Sequence, residues 1–141
     1  MKKILIIFLL LFNQLAFSED LYDFKIINVI DGDTLTIEAL YLPKPLKPEL
    51  KLRIIGVDTP EKGHRAKCDA ERTKALEAKA FTQEIIDQGK VKKISLHSWD
   101  KYGGRVLGDV LIDGKSLSKL LIQSNYAVKY DGGKKTLWCK K

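Results

Sequence analysis

Leu52-Arg53-Ile54-Ile55-Gly56-Val57-Asp58-Thr59-Pro60-Glu61 starts as an apolar strand with one charge in its middle and ends in a turn bearing two carboxylates. A wholly structural strand gains little from an arginine. Arginine suits anionic oxygens, phosphate above all, because its planar fork donates two hydrogen bonds at once. Asp58 and Glu61, separated by Thr59-Pro60, set two acceptors at the strand end where a cation or an activated water can sit. The stretch points to metal-assisted chemistry on a phosphate.

The chain around it reads as strands and one long helix. Phe24 to Ile30 and Thr34 to Leu40 are two strands joined at Asp31-Gly32-Asp33, a hairpin pattern. Leu42 to Pro48, with three prolines and two lysines, is a protruding loop. Leu50 to Val57 is the third strand. A helix is expected from Asp69 as N-cap to Gly89, burying Ala75, Ala78, Phe81 and Ile85. Val91 to Trp99 and Arg105 to Ile112 complete the strands, with a glycine-rich turn between them. A short helix from about Ser116 buries Leu117, Leu120 and Leu121. Five short strands with a helix after the third are too few for a sandwich. The expected fold is α+β, a five-stranded, closed β-barrel plugged by a helix.

At 141 residues the chain has room for one domain. Residues 1–18 read as a secretory signal peptide: Lys2-Lys3, an apolar run from Ile4 to Phe12, and small residues Ala16 and Ser18 at the cleavage positions. The apolar part is shorter than the roughly 20 residues a spanning helix needs; an uncleaved anchor is the alternative. Residues 19–141 are then a single domain with a short C-terminal tail, secreted or periplasmic, with no stable membrane association once the leader is gone. Without Lys2 and Lys3 the 25 basic residues become 23 against 18 acidic ones, and the net charge falls from +7 to +5. A basic exported domain suits a polyanion such as nucleic acid, although surplus lysine also serves solubility alone. Cys68 and Cys139 are an even pair in an exported chain and suit a disulfide; two buried free thiols are the alternative.

Three turns carry the remaining charges: Asp31-Gly32-Asp33-Thr34, Asp58-Thr59-Pro60-Glu61, and Asp100-Lys101-Tyr102-Gly103-Gly104-Arg105. Each alone is weak, since Asp-Gly is also an ordinary hairpin turn. Together, in this order, they resemble the thermonuclease family, the staphylococcal-nuclease-like calcium-dependent nucleases, from about Phe24 to Ala127. The resemblance implies an OB-fold barrel with Asp33, Asp58 and the Thr59 carbonyl as metal ligands. It implies Glu61 at the attacking water, and Arg53 and Arg105 on the scissile phosphate. It further implies a calcium-dependent endonuclease, with Mg²⁺ as second candidate, that hydrolyses DNA and RNA to 3′-phosphate and 5′-hydroxyl ends. Lys101, Tyr102 and Tyr130 are candidate substrate contacts, and a monomer is expected. One glycine more than in the type member separates Tyr102 from Arg105, which puts the position of Arg105 in question. The competing function is a non-catalytic OB-type module for single-stranded nucleic acid, which would need basic and aromatic residues but no acidic trio beside two arginines. A calcium-binding structural domain would leave those arginines without a role.

Overall fold

A computed structural model describes residues 19–139. The expected leader, residues 1–18, lies outside the described residues. Five longer strands form as expected: β2 (Ile26–Asp31), β3 (Thr34–Glu38), β4 (Glu49–Ile54), β6 (Lys92–Trp99) and β7 (Arg105–Ile112). Four two-residue strands join them: β1 (Leu21–Tyr22), β5 (Val57–Asp58), β8 (Lys115–Ser116) and β9 (Val128–Lys129). The helices are α1 (Asp69–Gln88) and α2 (Leu117–Gln123). The class is α+β. Among the described residues, none of the helices is long and apolar enough to cross a membrane.

The main sheet runs β1-β6-β7-β4-β3-β2, with β8 added to β7, while β5 and β9 pair separately. The expected closed barrel is therefore corrected to an open path among the described residues. Its physical reason lies at the ends of the path: β1 takes the outer edge of β6, Leu21 opposite Ser95, while α1 lies against β2. The OB-like order of strands is retained without a closing ladder.

Alternation builds the core. Along β7, Val106, Gly108, Val110 and Ile112 point inward while Arg105, Leu107, Asp109 and Leu111 face outward. Leu35, Ile37, Leu52, Ile54, Ile94, Leu117 and Leu121 are fully buried with them. The β4–β7 pair is parallel, with Lys51 opposite Arg105 and Arg53 opposite Leu107. Paired residues share a sheet face, so Lys51, Arg53 and Arg105 lie together on the face away from the core.

The helix α1 departs from its expected stripe. Glu71, Ala75, Ala78, Thr82 and Ile86 are its buried residues, with Phe81 and Ile85 packed half-buried at the side. Its N-cap is Cys68, whose Sγ accepts the Glu71 N–H, rather than Asp69, the first helical residue. Gly89 ends the helix without a left-handed cap, at φ −66°. It is required for space, because a Cβ there would stand 2.3 Å from Ile112 Cγ2.

Candidate active site

Asp33 is held by the β2–β3 turn, and α1 holds the turn. Thr82 Oγ1 donates to the Gly32 carbonyl at 2.8 Å. Gly32 permits that approach: a Cβ would fall 2.9 Å from Ala78 Cβ and 3.0 Å from Thr59 Cγ2. Asp33, only 3% exposed, spends both carboxylate oxygens on neighbours. Oδ1 accepts from Arg53 Nη1 at 2.5 Å and Thr34 Oγ1 at 3.1 Å. Oδ2 accepts from the Thr59 amide at 3.0 Å and its hydroxyl at 2.9 Å. Asp31 stands beside it, its Oδ1 accepting the Asp33 N–H at 3.3 Å. Burial, and then the Asp33 charge, push its carboxyl up from the ordinary value.

Arg53 joins the two aspartates. Its Nη2 lies 3.6 Å from Asp58 Oδ1 and donates to the Val57 carbonyl at 3.3 Å. Asp58, 1% exposed, sits on β5 where pairing with β9 sets it opposite Val128. Its Oδ1 is buried with no hydrogen bond, although Lys135 Nζ makes a charge contact at 3.0 Å.

Glu61 is fixed by a buried carboxylate. Glu71, on the first turn of α1, accepts the Glu61 N–H through Oε1 at 3.1 Å and the Lys67 N–H through Oε2 at 2.8 Å. The connecting loop is thus pinned at both ends. The Glu61 side chain meets Lys135 Nζ at 2.5 Å and Arg65 Nε at 3.2 Å. Burial alone would raise its carboxyl, but the Lys135 hydrogen bond and the charges of Lys135, Arg65 and Arg53 outweigh it and hold the group below its ordinary value.

On the far wall the turn after β6 carries Lys101 and Tyr102. Asp100 closes the turn: its N–H donates to the Arg105 carbonyl at 2.9 Å, and its carboxylate is ion-paired with the Arg105 guanidinium. Gly103 and Gly104 both take left-handed φ, 70° and 65°. After this turn Arg105 stands opposite Lys51.

One cleft of about 1210 Å³ gathers Asp33, Arg53, Thr59, Glu61, Lys101, Tyr102, Arg105, Tyr130 and Lys135 in its lining. Asp58 lies beneath, reaching the cleft through Arg53 and Lys135. Tyr102 is 77% exposed and free to meet a ligand. Tyr130 directs its hydroxyl to the Gly133 carbonyl at 3.0 Å, whereas Tyr126 packs on Phe81 with ring centroids 4.7 Å apart. Cys68 and Cys139 are bonded, their Cα atoms 6.1 Å apart.

A family model described as staphylococcal nuclease homologue matches residues 51–137. The chain belongs to that family. The matched span holds every charged residue of the cleft discussed above except Asp31 and Asp33, which precede it. Among the curated relatives of this staphylococcal nuclease homologue is Endonuclease YhcR of Bacillus subtilis (strain 168), 29% identical over 119 residues. The match covers 80% of this chain but 9% of that protein, so the chain spans about a tenth of its relative's length.

Three contributors escape a reading of the sequence: Thr82, Glu71 and Lys135. The first two act through hydrogen bonds to loops and carry no motif. Lys135 did have a signal. It stands four residues before Cys139, and Cys68 stands seven after Glu61, so a Cys68–Cys139 bond draws the basic tail toward the acidic turn.

Proposed function

We propose that the chain is an exported, metal-dependent phosphodiesterase, a calcium-dependent endonuclease acting on DNA and RNA. In this reading residues 1–18 are removed on export and the remainder works as a single-domain monomer. The observation that carries it is the convergence on one cleft of two arginines, Glu61 and Asp33, with Asp58 directly below.

The residues fit a hard cation. Asp33, Asp58 and the Thr59 carbonyl offer oxygen donors of the kind Ca²⁺ prefers, and Asp58 Oδ1 is buried with charge contacts to Lys135 and Arg53 but no hydrogen bond. When bound there, a divalent cation supplies positive charge to the phosphoryl oxygens. The chain's own residues supply the rest. Arg53 and Arg105 change partners, from Asp33 and Asp100 to the equatorial oxygens of the phosphate. They offset the charge that builds up as phosphorus becomes five-coordinate, commonly worth about 3–4 kcal/mol per donor. Glu61, ion-paired with Arg65, accepts a proton of the attacking water and aligns it opposite the leaving oxygen. Water's oxygen bonds to phosphorus, the bond to the 5′ oxygen breaks, and that oxygen takes a proton from solvent water as it leaves. The products are a 3′-phosphate and a 5′-hydroxyl. Lys101, Tyr102 and Tyr130 border the path of the strand.

The test is incubation with linear DNA and with RNA in Ca²⁺, Mg²⁺ or chelator, repeated with Arg53→Ala and Glu61→Gln. Cleavage should require a divalent cation and fall by about two orders of magnitude or more in each variant. Cleavage that survives chelation, or that neither substitution weakens, would sink the mechanism. End-labelling of the fragments tests the position of the cut.

A further inference from the structure

Lys135 plays no part in the reaction outlined above, yet it is the cation closest to Glu61 and Asp58. Its Nζ lies 2.5 Å from Glu61 Oε1 and 3.0 Å from Asp58 Oδ1. Arg53 is the more distant cation, in nearer contact with Asp33 and 3.6 Å from Asp58 Oδ1. We propose that Lys135 is a tethered occupant of the cation position: its ammonium neutralises Asp58 and Glu61 when no divalent ion is bound, and the ion must displace it.

Three features support this. A carboxylate as buried as Asp58 is costly to leave without a counter-charge. An ammonium on a flexible four-carbon stem is a compact point charge that can enter and leave without repacking, and the Lys135 side chain is itself about half exposed. The tail is also fastened. Cys139 is bonded to Cys68, the cap of α1, and one turn into that helix Glu71 grips the Glu61 backbone. The lysine and the acid it neutralises therefore hang from the same helix start. A tether of this kind presents its ammonium at an effective concentration in the millimolar range, which a competing ion must overcome.

The inference rests on the metal-dependent reading, and calorimetry with CaCl₂ and no nucleic acid separates the two. The disulfide-bonded protein is compared with Lys135→Gln and Lys135→Arg. An occupant present nine times in ten weakens apparent affinity about tenfold. Lys135→Gln should therefore bind Ca²⁺ about tenfold more tightly, while Lys135→Arg, which keeps the charge, should stay near the parent. Equal or weaker binding by Lys135→Gln overturns the proposal. Should that variant fail to fold, acylation of Lys135 in the parent protein decides, read by peptide mass spectrometry against the exposed Lys115. Faster labelling on adding Ca²⁺ supports displacement; an unchanged rate overturns it. If no protein binds Ca²⁺ at all, the metal-dependent reading itself falls.

Discussion

Arg53 bridges two buried carboxylates, a structural service beside the phosphate contact proposed for it. Its side chain is 14% exposed, against 4% for that of Asp33 and 2% for that of Asp58. Removing the guanidinium leaves Asp33 without that counter-charge, since Thr34 and Thr59 donate hydrogen bonds but carry no charge. Breaking a buried pair by deleting one partner typically costs about 3–5 kcal/mol. We expect Arg53→Ala to lose about 3 kcal/mol in urea unfolding, and Arg53→Ala/Asp33→Asn to lose less than Arg53→Ala alone. Equal losses would mean that Asp33 does not depend on Arg53. The residues proposed to do the chemistry were legible because their types are out of place: an arginine within an apolar strand, and acids flanking a turn. Glu71 was not. A glutamate in the first turn of a helix looks like a favourable charge at the dipole's positive end, and only the fold turns it inward onto two loop amides.

At the scale of elements, the period of two held along β7, while the helix faces held only in part: Ala75, Ala78, Leu117 and Leu121 are buried as expected, and Phe81 and Ile85 are half-buried. Alternation in β7 needs only a period of two, and the burial follows it at every position. In α1 the inward face includes Thr82, whose hydroxyl is there to hold the Gly32 carbonyl; counting apolar residues passes over it and shifts the stripe to Phe81 and Ile85. Gly108 marks a further contact. A Cβ at this position of β7 would lie 2.0 Å from the Ser95 carbonyl oxygen, a backbone atom of β6 that cannot step aside alone. Gly108→Ala should therefore cost about 3 kcal/mol or more by overpacking, measured as a lower urea midpoint; a loss below about 1 kcal/mol would show that β6 and β7 separate easily. The loop ends offer a pH-dependent counterpart. Asp113 accepts the Val91 and Lys90 amides at 2.8 and 3.2 Å, and these two hydrogen bonds, Val91 first, hold its carboxyl below the ordinary value. A depressed carboxyl adds stability above its unfolded pKa and loses it as the pH falls through the folded one. Asp113→Asn should thus be less stable than the parent at neutral pH, with the gap closing as the pH falls below about 4. A gap that persists into that acid range would assign the effect to shape instead of charge.

For the whole molecule, the order of elements was legible and the closure of the sheet was not. Five strands and an inserted helix can be counted from turn residues, but whether the first and last edges meet depends on what else occupies them, here β1 on β6. The covalent closure runs elsewhere, through Cys68 and Cys139, 71 residues apart. It joins the start of α1 to a tail that contributes β9 and Lys135, so it binds the wall of the cleft to its acidic turn. A crosslink over a loop of this length stabilises chiefly by restricting the unfolded chain, by about 4 kcal/mol on the entropy model. Intact-mass measurement should find the protein two hydrogens lighter than its fully reduced form. Reduction should then lower the unfolding free energy by up to about 4 kcal/mol, and it should steepen the urea dependence, because the freed chain exposes more surface when it unfolds. Those two changes separate an effect on the unfolded state from simple loss of native contacts, which would lower the midpoint at an unchanged slope. A reduced protein with the same midpoint and slope would show that the tail is held by its non-covalent contacts alone.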